Sequence, residues 1–130
     1  MHFPTTLFLA ALAATGAYAC TQCPHEGTFT GNVGEYTTPS PNYCGVTVGP
    51  HDIVASLSTF WLDPPDESPC GETITVTLPK SGHAVTAIVA NFDASLATDD
   101  IQLNDLGLES LSADNVVADG EGTVVWTFNN

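Results

Sequence analysis

The sequence predicts a mainly β protein, a small closed β-barrel carrying one or two short helices and stapled by a disulfide. Three observations predict it. Short runs rich in β-branched residues recur at Ile53 to Leu57, Thr73 to Leu78, Val85 to Val89 and Thr123 to Phe128. Turns rich in Gly, Pro, Asp and Asn separate them. Only one stretch, after Asn104, spaces its leucines as a helix would. Many short strands with little helix favour a barrel over a layered α/β fold.

Taken in order, Gly27 to Gly31 reads as a first short strand bounded by glycines, and Asn32 to Pro50 as a long loop pinned at Cys44. His51 to Leu57 is a second strand, after which Ser58 is placed to cap a turn or short helix, Thr59 to Leu62. Asp63-Pro64-Pro65-Asp66 stops it. Thr73 to Leu78 alternates polar and apolar, and Pro79-Lys80-Ser81-Gly82 turns into an apolar strand, Ala84 to Ala90. A polar loop follows, then Ile101-Gln102-Leu103-Asn104. Asn104 is a natural N-cap for a helix from Asp105 to Ala113 with Leu108 and Leu111 facing the core, although Gly107 weakens it. Asp119 to Gly122 turns into the last strand, in which Trp126 is expected in the core.

The first nineteen residues belong outside this fold. Leu7 to Ala14 is apolar and is followed by Ala17-Tyr18-Ala19, the pattern of a secretory signal peptide too short to span a bilayer. From Cys20 onward a little over a hundred residues remain, enough for one domain (20–130, core 27–128) and expected to be a monomer. The predicted signal has no Asp, Glu, Lys or Arg, so the net charge of -14 belongs to that domain, with Lys80 its single Lys or Arg. Such a surface repels nucleic acid and anionic membranes; it keeps a secreted domain soluble and suits a basic protein partner.

Four cysteines in a small secreted chain point to disulfides, with three possible connectivities. Cys44 with Cys70 is favoured because it closes a long loop, which leaves Cys20 and Cys23 to each other or to a partner. His25, His51 and His83 lack metal-ligand spacing, and no phosphate loop or nucleophile motif is present, so no metal or other cofactor is expected. No Asn-x-Ser/Thr acceptor occurs.

The chemistry concentrates between His83 and Asn104, where a loop between two core strands holds Asn91, Asp93, Asp99 and Asp100. Paired carboxylates are what glycoside hydrolysis needs, but acidic loop residues are more often solvated surface. Trp61, beside Pro64-Pro65, is a candidate sugar-stacking platform, and Tyr36 and Tyr43 in the long loop are candidate contacts.

The ordered pieces resemble a known family. A Gly-Thr-Phe-Thr opening, Cys44-Gly45, Ile53 to Leu57 before Phe60-Trp61-Leu62-Asp63, Cys70-Gly71 leading into Thr-Ile-Thr-Val, a Val-rich strand, a Leu-rich helix and the closing Val-Val-Trp-Thr-Phe are similar to the RlpA-like double-psi β-barrel family. That family includes barwin-like and expansin-like proteins, small secreted fungal members and enzymes of glycosidase or lytic transglycosylase type. The resemblance implies a six-stranded double-psi β-barrel. It also implies carboxylates where this chain has amides: Asn91 stands where catalytic relatives carry Asp, and Gln102 where expansin-like members carry another. An amide neither gives nor takes a proton near neutral pH. The resemblance therefore implies a secreted, non-catalytic domain binding an extracellular partner, a cell-wall glycan or a protein such as a protease, through Asn91, Asp93 and Gln102. A weak glycan-active enzyme using Asp93 with Asp99 or Asp100 is the competing expectation.

Overall fold

The computed structural model describes residues 25–62, 67–112 and 122–129. The expected signal peptide, Cys20, Cys23 and the Asp119 to Glu121 part of the last turn lie outside the described residues. Among the described residues, six strands, β1 (Phe29–Glu35), β2 (Val54–Ser58), β3 (Thr73–Thr77), β4 (Ala84–Asp93), β5 (Ile101–Leu103) and β6 (Thr123–Phe128), are accompanied by a 3-10 turn (Thr59–Leu62) and a helix, α1 (Asp105–Leu111). They close into a barrel in the order β1-β5-β2-β4-β3-β6. Two of its pairings, β1 with β5 and β2 with β4, are parallel; the others are antiparallel.

The inward sides of all six strands meet in one core that includes Val33, Leu57, Ile74, Val76, Val89, Ile101 and Trp126. The alternation of β3 reports this directly, with Ile74 and Val76 buried between half-exposed threonines. Leu108 and Leu111 of α1 plug the same core. Asn104 caps that helix as expected, accepting from the Gly107 N–H at 3.3 Å, and also holds the β2 start by accepting from the Val54 N–H at 3.2 Å. Gly107, the weak point of the helix in sequence, is required by packing, because a methyl built there would sit 2.9 Å from the Ile53 side chain.

Two strands run further than the sequence suggests. β1 was expected to end at Gly31 and continues to Glu35, pairing Val33 with Ile101. Gly31 is no terminator: a side chain there would collide with the Asp99 carbonyl, so the glycine admits a close backbone approach. β4 was expected to break at Asn91 and instead runs to Asp93. Its pairing with β2 jumps from Ala55↔Val89 to Ser56↔Asn91, which leaves Ala90 as an extra, bulged residue. The bulge inverts the strand's parity. Val85, Ala87 and Val89 face the core before it; after it Phe92 does, and Asn91 and Asp93 turn to the outer surface.

The long loop between β1 and β2 covers part of that outer surface. Tyr36, Val54 and Ala90 form a second small apolar cluster with Val46, Val48 and Ile88. The Cys44–Cys70 disulfide, with 26 residues of separation, ties this loop to the segment before β3 and contributes about 3 kcal/mol on the loop-closure estimate. Before β1, the His25 ring reaches the buried Glu72 carboxylate through Nδ1 at 3.2 Å and the Glu67 carbonyl through Nε2 at 2.9 Å.

Candidate functional site

The outer face of β5, β2 and β4 carries a polar row. Register sets Gln102, Ser56 and Asn91 side by side on the three strands, and Ser58 beside Asp93 one pleat further along. Along a strand this second pair follows the first by roughly 7 Å. Asn91, Asp93 and Gln102, expected as one group, are brought together. Both serines are buried beneath neighbouring groups, while Asn91, Asp93 and Gln102 are partly exposed.

Asn91 is occupied by the protein itself. Its Oδ1 accepts from the Tyr43 N–H at 2.9 Å, and its Nδ2 donates to Ser56 Oγ and to the Phe92 carbonyl, both at 3.3 Å. Next to it the Cys44 N–H donates to the Ala90 carbonyl at 2.9 Å. The amide therefore fastens the long loop to β4.

Asp93 accepts from the Ser95 N–H at 2.8 Å and the Ser95 hydroxyl at 2.7 Å, with the Gln102 amide nearby. The Ser95 hydroxyl contributes most to holding this carboxyl below its ordinary value of 3.8; the Ser95 N–H and Gln102 add to it, and slight burial opposes. Because the folded pKa is depressed, the associated stability is present above 3.8 and is lost as pH falls through the lower folded value. Ser95→Ala is expected to move the Asp93 titration back up toward 3.8, which a carboxyl-carbon NMR titration reads directly.

Asp99 and Asp100, the other two loop acids, serve the scaffold. Asp100 Oδ1 accepts from the Asn32 N–H of β1 at 2.9 Å. The Asp99 carbonyl accepts from Trp126 Nε1–H at 2.8 Å, and the preceding carbonyl, of Thr98, accepts from Trp61 Nε1–H at 3.1 Å. Two indoles thus staple consecutive peptides of the 94–100 loop to the core. Trp61, expected as a stacking platform, is half-buried among Phe29, Trp126 and Phe128 at ring separations of 5.1, 5.8 and 5.3 Å. Tyr36, expected as a contact, is 7% exposed, and burial pushes its hydroxyl pKa up.

Among the described residues the exposed large aromatics are Tyr43, 63% exposed, and Phe60, 58% exposed. Tyr43 stands edge-on to Phe92 with ring centres 5.5 Å apart, and Phe60 edge-on to Trp61 at 5.2 Å. Phe60 was not singled out in the sequence; its position two residues after Ser58, whose Oγ accepts from the Phe60 N–H at 3.1 Å, sets it at the end of the polar row. Carboxylates do meet elsewhere: the exposed Glu35 lies beside Asp105, and a hydrogen bond to Asp105 together with the repulsion between the two raises the Glu35 pKa. Among the described residues no three His, Cys, Asp or Glu side chains group as metal ligands.

No protein-family model matches the chain, and no curated protein matches it in sequence. Solved structures do. A Streptomyces papain inhibitor superposes with a TM-score of 0.66 at 18% identity, over 84% of this chain and all of the inhibitor. An expansin of Clavibacter michiganensis superposes with a TM-score of 0.64 at 19% identity, over 80% of this chain but only 51% of the expansin. A mutant of that expansin in complex with cellohexaose gives 0.65 at 18% identity, over 80% of this chain and 51% of that one. Closed strand order, the two parallel pairings and these neighbours agree, and the chain folds as a six-stranded double-psi β-barrel.

Proposed function

We propose that this protein is a secreted, non-catalytic binding domain whose partner docks on the outer face of β5, β2 and β4. One observation carries the reading. Asp93, the acid of the polar row, is held as a carboxylate by Ser95 and Gln102, and its neighbours Asn91 and Gln102 are amides. A group held below the ordinary carboxylate range is a poor proton donor near neutral pH, so the row lacks the general acid that glycosidic cleavage requires. The rigid attachment of Tyr43 by Asn91 supports binding, because a pre-ordered contact loses little entropy on docking. The disulfide and the signal-like first nineteen residues support an extracellular setting. The neighbours named as a papain inhibitor and as an expansin bound to cellohexaose supply precedents on this fold for a protein partner and a glucan partner.

Incubation with cellulose, chitin and peptidoglycan, followed by reducing-end and soluble-fragment assays, is expected to show no turnover. Retention of the protein on one of these polymers, or inhibition of papain, would identify the partner class. Turnover that disappears in Asp93→Asn overturns the reading in favour of a glycan-active enzyme.

A further inference from the structure

Tyr43 and Phe60 are both held near the C-terminal ends of β4 and β2, the parallel strands whose last registered pair is Ser58 with Asp93. Tyr43 is tethered through Asn91 on β4, and Phe60 through Ser58, the β2 residue registered against Asp93. We propose that this surface seats a cationic side chain of a partner protein, with the ammonium or guanidinium on Asp93 and the two exposed rings as apolar anchors. The proposal rests on the binding-domain reading and names the partner of that same face.

Charge and acceptor capacity argue for this occupant. Two donors reach Asp93, the Ser95 N–H and the Ser95 hydroxyl, and both are neutral, so the carboxylate keeps its negative charge. A carboxylate offers about four acceptor positions, which leaves room for a donor from outside. The chain's single Lys or Arg, Lys80, lies before the start of β4, whereas Asp93 closes that strand. The net charge of -14 adds a long-range attraction for a basic partner.

Each exposed ring is braced edge-on, at 88° and 89°, by the ring that supports it. Isolated, well-supported aromatics act as anchors that fill pockets on a partner and can lie against a cation. Asn91 is the positioning residue, because its Oδ1 holds the Tyr43 backbone while its own side chain is spent on Ser56 and Phe92.

The test uses the folded, disulfide-bonded domain and immobilised peptides with Leu-Arg-Leu or Leu-Lys-Leu cores, against matched peptides carrying citrulline or norleucine, with cellohexaose and chitohexaose as neutral probes. Cationic peptides are expected to bind at least tenfold more tightly than their neutral counterparts. Asp93→Asn, Tyr43→Ala and Phe60→Ala should each weaken that binding about tenfold, with Tyr43→Phe retaining most of it and thermal melts showing the variants folded. Asn91→Ala should weaken peptide binding and speed hydrogen exchange at the Tyr43 amide, whereas Asn91→Asp, which still accepts from that amide, should restore slow exchange. Binding of a neutral hexasaccharide that Asp93→Asn and Tyr43→Ala remove, without peptide binding, overturns the cationic partner and leaves the face as a binding site. Binding of nothing, or binding indifferent to all these variants, overturns both.

Discussion

Insertion of one alanine between Ala55 and Ser56 is expected to abolish folding, whereas deletion of Ala90 should leave a folded, weakened domain. The contrast follows from the bulge. Ala90 is the extra residue that lets Ser56 pair with Asn91 after Ala55 has paired with Val89. An inserted residue gives Ala90 a partner, and continuous pairing then points Asn91 and Asp93 into the barrel and Leu57 and Phe92 outward. The Asp93 carboxylate would be buried away from Ser95, which costs several kcal/mol, and the core would lose the Leu57 and Phe92 side chains. Those losses are comparable to the whole stability of a small domain, about 5–15 kcal/mol. Deleting Ala90 instead makes β4 regular, with Asn91 and Asp93 still outward and Phe92 inward, and loses only the packing of Ala90 with Tyr36 and Val54 and the carbonyl that accepts from the Cys44 N–H. Circular dichroism and a thermal melt of both variants distinguish the outcomes, and a cooperative melt from the insertion would show that the parity argument is wrong.

Trp126→Ala is expected to cost about 3–5 kcal/mol, the range for removing a large buried ring. Trp126 is fully buried and lies 4.7 Å from Phe29 and 5.4 Å from Phe128, ring centre to ring centre. It also supplies the N–H for the Asp99 carbonyl. Trp126→Phe separates the two contributions: it retains an aromatic ring but leaves the carbonyl without its donor, at about 1–3 kcal/mol. Urea unfolding gives both values. Hydrogen exchange should show the 94–100 loop loosened in Trp126→Phe; a loop protected as in the parent would mean that the staple carries no weight.

Much of this fold was legible because several elements obey simple periods. β3 alternates, the Pro79 to Gly82 turn joins it to β4, and Asn104 opens α1 with Leu108 and Leu111 four and seven residues on. The misjudged boundaries had one physical cause, since glycines and polar residues mark turns in sequence but here fit inside strands. Gly31 makes way for a carbonyl, and Asn91 and Asp93 continue β4 on its solvent side. A bulge has no sequence signature independent of its partner strand, so the outward turn of Asn91 and Asp93 depended on a pairing 35 residues away in sequence, Ser56 to Asn91. For the site, the resemblance singled out Asn91 and Gln102, but composition and spacing could not tell that Asn91 is engaged internally. Nor could they tell that Tyr36 is covered while Tyr43, seven residues on in the same loop, is open. Loop residues differ in this way only through what the loop folds over.

The strand order has a consequence for how the molecule is made. β6, the last strand of the chain, pairs with both β1 and β3. While a chain is still being synthesised and Thr123 to Phe128 have not emerged, β1 and β3 each present an open edge, and no local hairpin can stand in for the missing neighbour. Nearly every stabilising pairing is long-range, so folding waits for the complete chain and then proceeds slowly, as contact order dictates. A nascent chain that cannot close early remains threadable through a narrow pore, and a premature stop before Thr123 leaves two sticky edges at once.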